Sequence, residues 1–151
     1  MKIVLFGPPG SGKSTRAKIM SELYDLPVIT SSDLLKSVDK STDRGKLIQT
    51  FIRKGKLVPD KIVNQIIKER LEKPDVEDGF VLDGYPRNIA QAQALDRFLE
   101  KEGKELDYAV QVEVDNKKLI ERLSKRRVCP NCGATYHLDY NPPLNAGVCD
   151  K

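Results

Sequence analysis

Gly7-Pro8-Pro9-Gly10-Ser11-Gly12-Lys13-Ser14 fits the pattern G-x-x-x-x-G-K-[ST] at every position. The apolar run Ile3-Val4-Leu5-Phe6 stands directly before it, and a stretch without Gly or Pro follows it. That order predicts strand, loop and helix. The glycines let successive backbone N–H groups turn inward around phosphate oxygens, the helix N-terminus adds its positive end, and Lys13 reaches the β- and γ-phosphates. Gly10, Ser11, Gly12 and Lys13 are therefore expected to hold a nucleoside triphosphate. The Ser14 hydroxyl occupies the position that touches Mg²⁺, and Thr15 can donate to a further phosphate oxygen.

Outward from the loop, short apolar runs alternate with stretches of helical period. Residues 3–6, 28–30, 80–82 and 108–114 are rich in β-branched and aromatic side chains and mostly too apolar for one-sided exposure, so they read as strands. Leu47, Ile48, Phe51 and Ile52 make one helical stripe, closed by Gly55. Pro59 suits the first turn of the next helix, which carries Ile62, Val63, Ile66 and Ile67 and stops before Pro74. Asn88 with Gln91 resembles a capping box ahead of Leu95, Phe98 and Leu99, and Asp115 can cap a helix bearing Leu119, Ile120 and Leu123. Strands alternating with helices predict an α/β fold, a parallel sheet covered on both faces. From Arg127 onward Pro, Gly, Asn and Cys take over, as in a small irregular insert; within it, residues 135–138 read as a strand.

The strand Phe80-Val81-Leu82 runs into Asp83-Gly84, which sets a carboxylate at the carboxyl edge of the sheet, where open α/β sheets bind ligands. There Asp83 could hold the water shell of Mg²⁺. As a plain D-G turn, the same pair would carry no function. Arg122 and Arg126 are four apart and are expected on one helix face, either facing phosphate or forming a solvated basic helix end.

The chain has 151 residues, with 39% hydrophobic and 32% charged residues. That length suits one domain with a small insert and burial of roughly two thirds of the unfolded surface. No apolar run approaches the roughly 20 residues of a membrane span, and the apolar start is too short for a signal peptide. A cytoplasmic protein with no membrane partner is expected. The net charge is +4, and residues 115–151 hold seven Lys/Arg against four Asp/Glu. A basic end points to an anionic partner, either nucleic acid or nucleotide phosphates. Aromatics able to stack on bases are sparse there, with only Tyr136 and Tyr140 after Tyr108, which weighs against a nucleic-acid binder.

The run Asp83-Gly84-Tyr85-Pro86-Arg87-Asn88, with Gln91, is more specific than either motif alone. Together with the phosphate loop, Asp33, Gly55-Lys56-Leu57-Val58, Arg122, Arg126 and the cysteines, it resembles adenylate kinase, a nucleoside monophosphate kinase, in its long, zinc-containing lid form. The resemblance implies a P-loop NTPase fold with a core at 1–29 and 60–126, a monophosphate-binding insert at 30–59 and part of a zinc lid at 127–151. It implies reversible transfer of the ATP γ-phosphate to AMP, giving two ADP, with Mg²⁺ and a monomer as the working unit. By resemblance Lys13, Asp83, Arg87 and Arg126 are catalytic. ATP would lie on Gly10 to Thr15, Arg122 and Arg126. AMP would lie on Ser31, Lys36, Leu57, Val58, Gly84, Arg87 and Gln91, with Arg87 forking onto the phosphate and the Gln91 amide meeting an adenine edge.

Two departures bear on this. The family usually has Gly at the position of Ser14, and Thr-Gly-Asp followed by Arg where this chain has Ser31-Ser32-Asp33 and Lys36. Lysine neutralises phosphate as a point charge but cannot form the planar fork. A less selective site, or a kinase for CMP or UMP, is the alternative expectation.

Cys129-Pro130-Asn131-Cys132 has knuckle spacing, and Cys149 is the third and last cysteine. The cluster favours structural Zn²⁺ over disulfides, with a redox pair at Cys129 and Cys132 as a lesser possibility. A fourth ligand would be His137 or a residue beyond Lys151. The resemblance implies that the lid continues past the zinc and that a further strand and helix follow, so the 151 residues read as part of a longer chain.

Overall fold

The computed structural model describes residues 1–151, which divide into two compact units, one of residues 1–7 and 13–112 and one of residues 8–12 and 113–151. In the first unit the expected strands form as β1 (Lys2–Phe6), β2 (Val28–Thr30), β3 (Phe80–Asp83) and β4 (Tyr108–Gln111). They make one four-stranded sheet in the order β2-β3-β1-β4, with every pair parallel. The helices are α1 (Lys13–Tyr24), α2 (Ser31–Ser37), α3 (Asp43–Arg53), α4 (Asp60–Leu71) and α5 (Ile89–Lys101).

Side-chain alternation along the strands divides the core. Ile3 and Leu5 of β1 and Val81 of β3 pack with Ala17 of α1 and Leu26 on one face. Val4, Ile29, Phe80 and Leu82 point the other way, into a larger cluster with Ile48 of α3, Val63, Ile66 and Ile67 of α4, and Leu95 and Leu99 of α5. Both faces are dry, which is why these strands read as unbroken apolar runs. The edge strand β4 leaves Tyr108, Ala109 and Gln111 exposed, and β1 leaves Phe6 exposed at its carboxyl end.

Strand order positions the site. The chain leaves β1 through α1 and passes beyond β3 to reach β2; it leaves β3 through α5 and passes beyond β1 to reach β4. The two neighbouring strands β1 and β3 thus send their connections in opposite directions. The crevice at their carboxyl ends is the switch point at which such sheets bind ligands. Leu5 and Asp83 lie opposite each other there.

The second unit contains α6 (Asn116–Ser124) and an antiparallel pair, β5 (Arg126–Val128) with β6 (Thr135–His137). Asp115 caps α6 as expected, its Oδ1 accepting from Lys117 N at 2.9 Å. In the loop of residues 8–12, Gly10 has φ +81°, and an added Cβ would stand 3.2 Å from the Leu123 side chain, so both backbone and packing call for glycine.

Several local expectations need correction. Helix α6 ends at Ser124 with Lys125 as its C-cap, so Arg126 is not on the helix face of Arg122. Arg126 instead pairs with His137 across the β5–β6 ladder, and the Lys125 carbonyl accepts from Leu138 N at 3.1 Å. Pro59 is the N-cap of α4 rather than a residue of its first turn. β4 stops at Gln111, not at 114. The capping box is half formed: Asn88 Oδ1 accepts from Gln91 N at 2.8 Å, but the Gln91 side chain accepts from Arg87 N instead of Asn88 N. Residues 31–37, unassigned from sequence, form α2, too short for a periodic signal.

Candidate active site

At the switch point, α1 begins with Lys13 and has no acidic residue of its own in its first turn. The Lys13 ammonium donates to Gly7 O at 2.7 Å, folded back onto the first residue of the loop. Ser14 Oγ donates to Asp83 Oδ2 at 2.6 Å, joining the helix start to the end of β3. Asp83 is only 3% exposed, so its carboxylate stands at the sheet edge with little water around it. Thr15 is exposed on the same first turn. Oxygen donors from Ser14 and Asp83, side by side, are the donor type that suits a hard cation such as Mg²⁺.

In the second unit the loop turns tightly, with Ser11 N donating to Pro8 O at 3.2 Å and positive φ at Gly10 and Gly12. Arg122 Nη1 donates to Gly10 O at 3.3 Å, which holds the guanidinium against the loop. An open groove of ≈ 490 Å³ lies beside Pro8, lined by Glu113, Val114, Asp115, Asn116 and Leu119. Arg126 is exposed in β5.

Beyond Asp83 the chain turns at Gly84 (φ +78°) through a cis Tyr85–Pro86 peptide to Arg87. The Gly84 carbonyl accepts from Ser31 Oγ at 2.7 Å and from Arg87 Nε at 2.8 Å, while Arg87 Nη2 stands 3.4 Å from Ser31 Oγ. A Cβ at Gly84 would meet Ser31 Oγ at 3.0 Å. These three residues thus orient an exposed guanidinium and leave most of its donors free for an oxyanion. Gln91 is 4% exposed, with Oε1 accepting from Arg87 N at 2.7 Å and Nε2 donating to Asp60 Oδ1 at 2.6 Å.

The other residues expected at a monophosphate site lie differently. Lys36 is exposed, its ammonium 3.9 Å from Asp33 Oδ1. Leu57 is exposed and Val58 is buried in the larger core cluster.

Asp60, Asn64 and Tyr85 were missed from sequence. Tyr85 is buried, its hydroxyl 2.9 Å from Asn64 Oδ1 and 3.1 Å from Gln91 O. Burial, with the Asp60 charge adding to it, pushes the phenol pKa up to about 12. An aromatic between Gly84 and Pro86 hints at burial, but nothing local links Asp60 to a glutamine 31 residues away.

In the β5–β6 unit the sulfurs of Cys129, Cys132 and Cys149 lie within 4.8 Å of one another, and all three cysteines are free of disulfides. The knuckle is held by Gly133 N donating to Cys129 O at 2.9 Å and Cys129 N donating to Ala134 O at 2.8 Å. The Tyr136 hydroxyl is 3.3 Å from Cys149 Sγ and accepts from Asp150 N at 2.8 Å. The hydrogen bond from Tyr136, then that from Lys151 N, draws the Cys149 thiol down to about 7. Three convergent thiols fit a thiophilic ion such as Zn²⁺. His137 lies outside this group. Its Nδ1 accepts from Asp139 N at 3.2 Å and Tyr140 N at 3.3 Å, closing the turn after β6.

Comparison with known proteins bears on the family of the chain. The family described as Adenylate kinase matches residues 5–150. A Thermoanaerobacter sp. (strain X514) adenylate kinase is 51% identical over 100% of this chain and 70% of its own length. The Bacillus subtilis (strain 168) adenylate kinase is 48% identical and that of Archaeoglobus fulgidus 47%, each over 100% of this chain and 70% of the relative. The phosphate-loop sequence, a parallel sheet with a carboxylate at its switch point and likeness across the whole chain lead to one conclusion: the chain belongs to the adenylate kinase family of phosphotransferases.

Proposed function

We propose that the chain catalyses reversible transfer of the γ-phosphoryl group of ATP to AMP, with the arginine held at the end of β3 as the anchor of the acceptor phosphate. The observation that carries this reading is the Ser31–Gly84–Arg87 cluster one turn from the Ser14–Asp83 pair. Phosphoryl transfer needs little covalent chemistry; it needs two anionic nucleotides aligned and their charge neutralised by preorganised donors. Lys13 would neutralise the donor phosphates, the backbone N–H groups of Gly10, Ser11 and Gly12 would cradle them, and Ser14 and Thr15 would add hydroxyl contacts. Ser14 and Asp83 would hold Mg²⁺, directly or through water; when bound, the ion spreads the charge of the phosphate oxygens. Arg122 and Arg126 are assigned to ATP and the transferring group, with Arg126 acting from a strand rather than from the helix. Arg87, Ser31 and Gly84 would bind the AMP phosphate side, Gln91 the base, and Leu57 and Val58 a wall of the pocket.

The division into a core at 1–29 and 60–126, an acceptor insert at 30–59 and a lid at 127–151 belongs to the same reading, with Zn²⁺ on Cys129, Cys132 and Cys149 as a structural clamp. No helix is long and apolar enough to cross a membrane, in keeping with a cytoplasmic setting. Lys36 could serve the acceptor phosphate only by leaving Asp33, which favours a site less selective than one built on arginine.

A coupled assay of ADP formation from ATP and AMP tests the proposal, with Lys13→Ala as control. Loss of one preorganised charged donor costs about 3–4 kcal/mol in the transition state, two to three orders of magnitude in kcat. Unaltered turnover in Lys13→Ala would overturn the assignment.

A further inference from the structure

We propose that Asp60 is a positioning residue that fixes which way round the Gln91 carboxamide faces and so makes the acceptor pocket read a 6-amino purine in preference to a 6-oxo purine. This rests on the reading of Gln91 as the base contact. Gln91 is only 4% exposed, so protein groups on either side decide how its amide lies. On one side is the Arg87 backbone N–H, which can only donate; on the other is a carboxylate, which can only accept. Gln91 Oε1 takes the first at 2.7 Å and Nε2 gives to Asp60 Oδ1 at 2.6 Å. Turning the amide over would set oxygen against oxygen and N–H against N–H, so one orientation remains.

Asp60 is held in its turn. Asn88 Nδ2 stands 3.2 Å from its Oδ1 and 3.0 Å from its Oδ2, while Asn88 Oδ1 caps α5 through Gln91 N at 2.8 Å. The start of α4, the start of α5 and the arginine turn are thereby joined through a single amide.

With those bonds made, one lone pair remains on Gln91 Oε1 and one hydrogen on Nε2. Adenine presents an N6 donor beside the N1 acceptor; hypoxanthine and guanine present an O6 acceptor beside an N1–H donor. The two edges are mirror patterns, and an amide locked one way complements only one of them. The same amide free to turn over would accept both. Asp60, which touches no substrate in this scheme, would thus decide the specificity of a residue that does.

The experiment measures kcat/KM for AMP and for IMP, which differ at the purine 6-position and N1, in the full chain and in Asp60→Asn, Asp60→Ser and Gln91→Ala. Asparagine keeps the shape of Asp60 but can offer oxygen or NH₂ to Gln91, so the α4 side no longer fixes the amide and only the Arg87 N–H still opposes turning it over. Serine keeps a polar group at the start of α4 but cannot reach Gln91. A good bidentate pair discriminates by about 1–3 kcal/mol, so both Asp60 variants are expected to lower the AMP-to-IMP ratio by roughly 5- to 100-fold, with the KM for ATP moving less than about twofold. A merely structural role would lower both acceptors together and leave the ratio unmoved. If Gln91→Ala collapses the ratio while both Asp60 variants keep it, the lock is overturned and the base-site reading stands. If Gln91→Ala itself leaves the ratio and the KM for AMP unchanged, the base-site reading fails and the proposal with it.

Discussion

Replacing Arg87 by Lys separates charge from geometry at the proposed acceptor site. In the structure the guanidinium is fixed in plane by Nε–H donating to Gly84 O at 2.8 Å, with Nη2 3.4 Å from Ser31 Oγ. Of its five N–H donors two are engaged, which leaves three aimed as a fork. A lysine ammonium keeps the charge, but it cannot hold the Gly84 carbonyl and present two parallel donors to one phosphate. The long-range attraction for AMP should survive while one charge-assisted hydrogen bond is lost, at about 1.5–3 kcal/mol. That corresponds to a rise of roughly 10- to 100-fold in the KM for AMP, with the KM for ATP changed less than about twofold. Initial rates with AMP varied at saturating ATP, then the reverse, give both values. Arg87 is exposed, so the variant is expected to fold, and its melting temperature verifies this. A folded Arg87→Lys protein with an unchanged KM for AMP would refute the assignment of this arginine as phosphate anchor.

Three further outcomes are expected. Tyr85→Phe removes the hydroxyl that meets partly buried Asn64 Oδ1 and should cost about 1–2 kcal/mol, a drop of roughly 2–8 °C in melting temperature. Because the folded phenol titrates at about 12 against the ordinary 10.0, the parent chain keeps a proton that the unfolded chain sheds between those values, and its stability falls as pH rises from 10 towards 12; the Phe variant should lack that part of the fall in urea titrations. Gly45→Ala would bring Cβ to 1.9 Å from Asp39 O, so the backbone must move, and a loss of about 2–3 kcal/mol in thermal unfolding is expected despite the better helix propensity of alanine. Four-ligand structural zinc sites bind with roughly 10–16 kcal/mol, so removing one thiolate in Cys132→Ser should weaken binding on the order of a hundredfold. Competition with a chromophoric chelator measures this, and the intensity of thiolate-to-cobalt absorption in the Co²⁺ form should fall with it.

Much of the fold was legible because its signals are local. The phosphate loop, the apolar runs of β1 to β3, the caps at Asn88 and Asp115 and the cysteine knuckle each depend on residues within one turn or strand of one another. The end of α6 shows the limit of such reading. Arg122 and Arg126 have helical spacing, but the helix stops at Ser124 because the next residues are taken by the ladder with β6, whose His137 lies eleven positions further along. Lys36 shows another limit: its position in the motif matches a phosphate ligand, while its side chain has an acidic neighbour one helical turn away at Asp33.

The sequence by itself determined a nucleotide-binding α/β chain with a carboxylate and an arginine turn after its third strand and a thiol cluster near residue 149. Tertiary structure alone decided that β1 and β3 are neighbours, that Ser14 meets Asp83 across 69 residues, and that Asp60 meets Gln91 across 31. Strands buried on both faces carry no mark of which strand they will pair with, since each apolar run satisfies any neighbour about equally. Their order follows from the packing of helices against the two faces, and hydrogen bonds between distant residues exist only once that order is set.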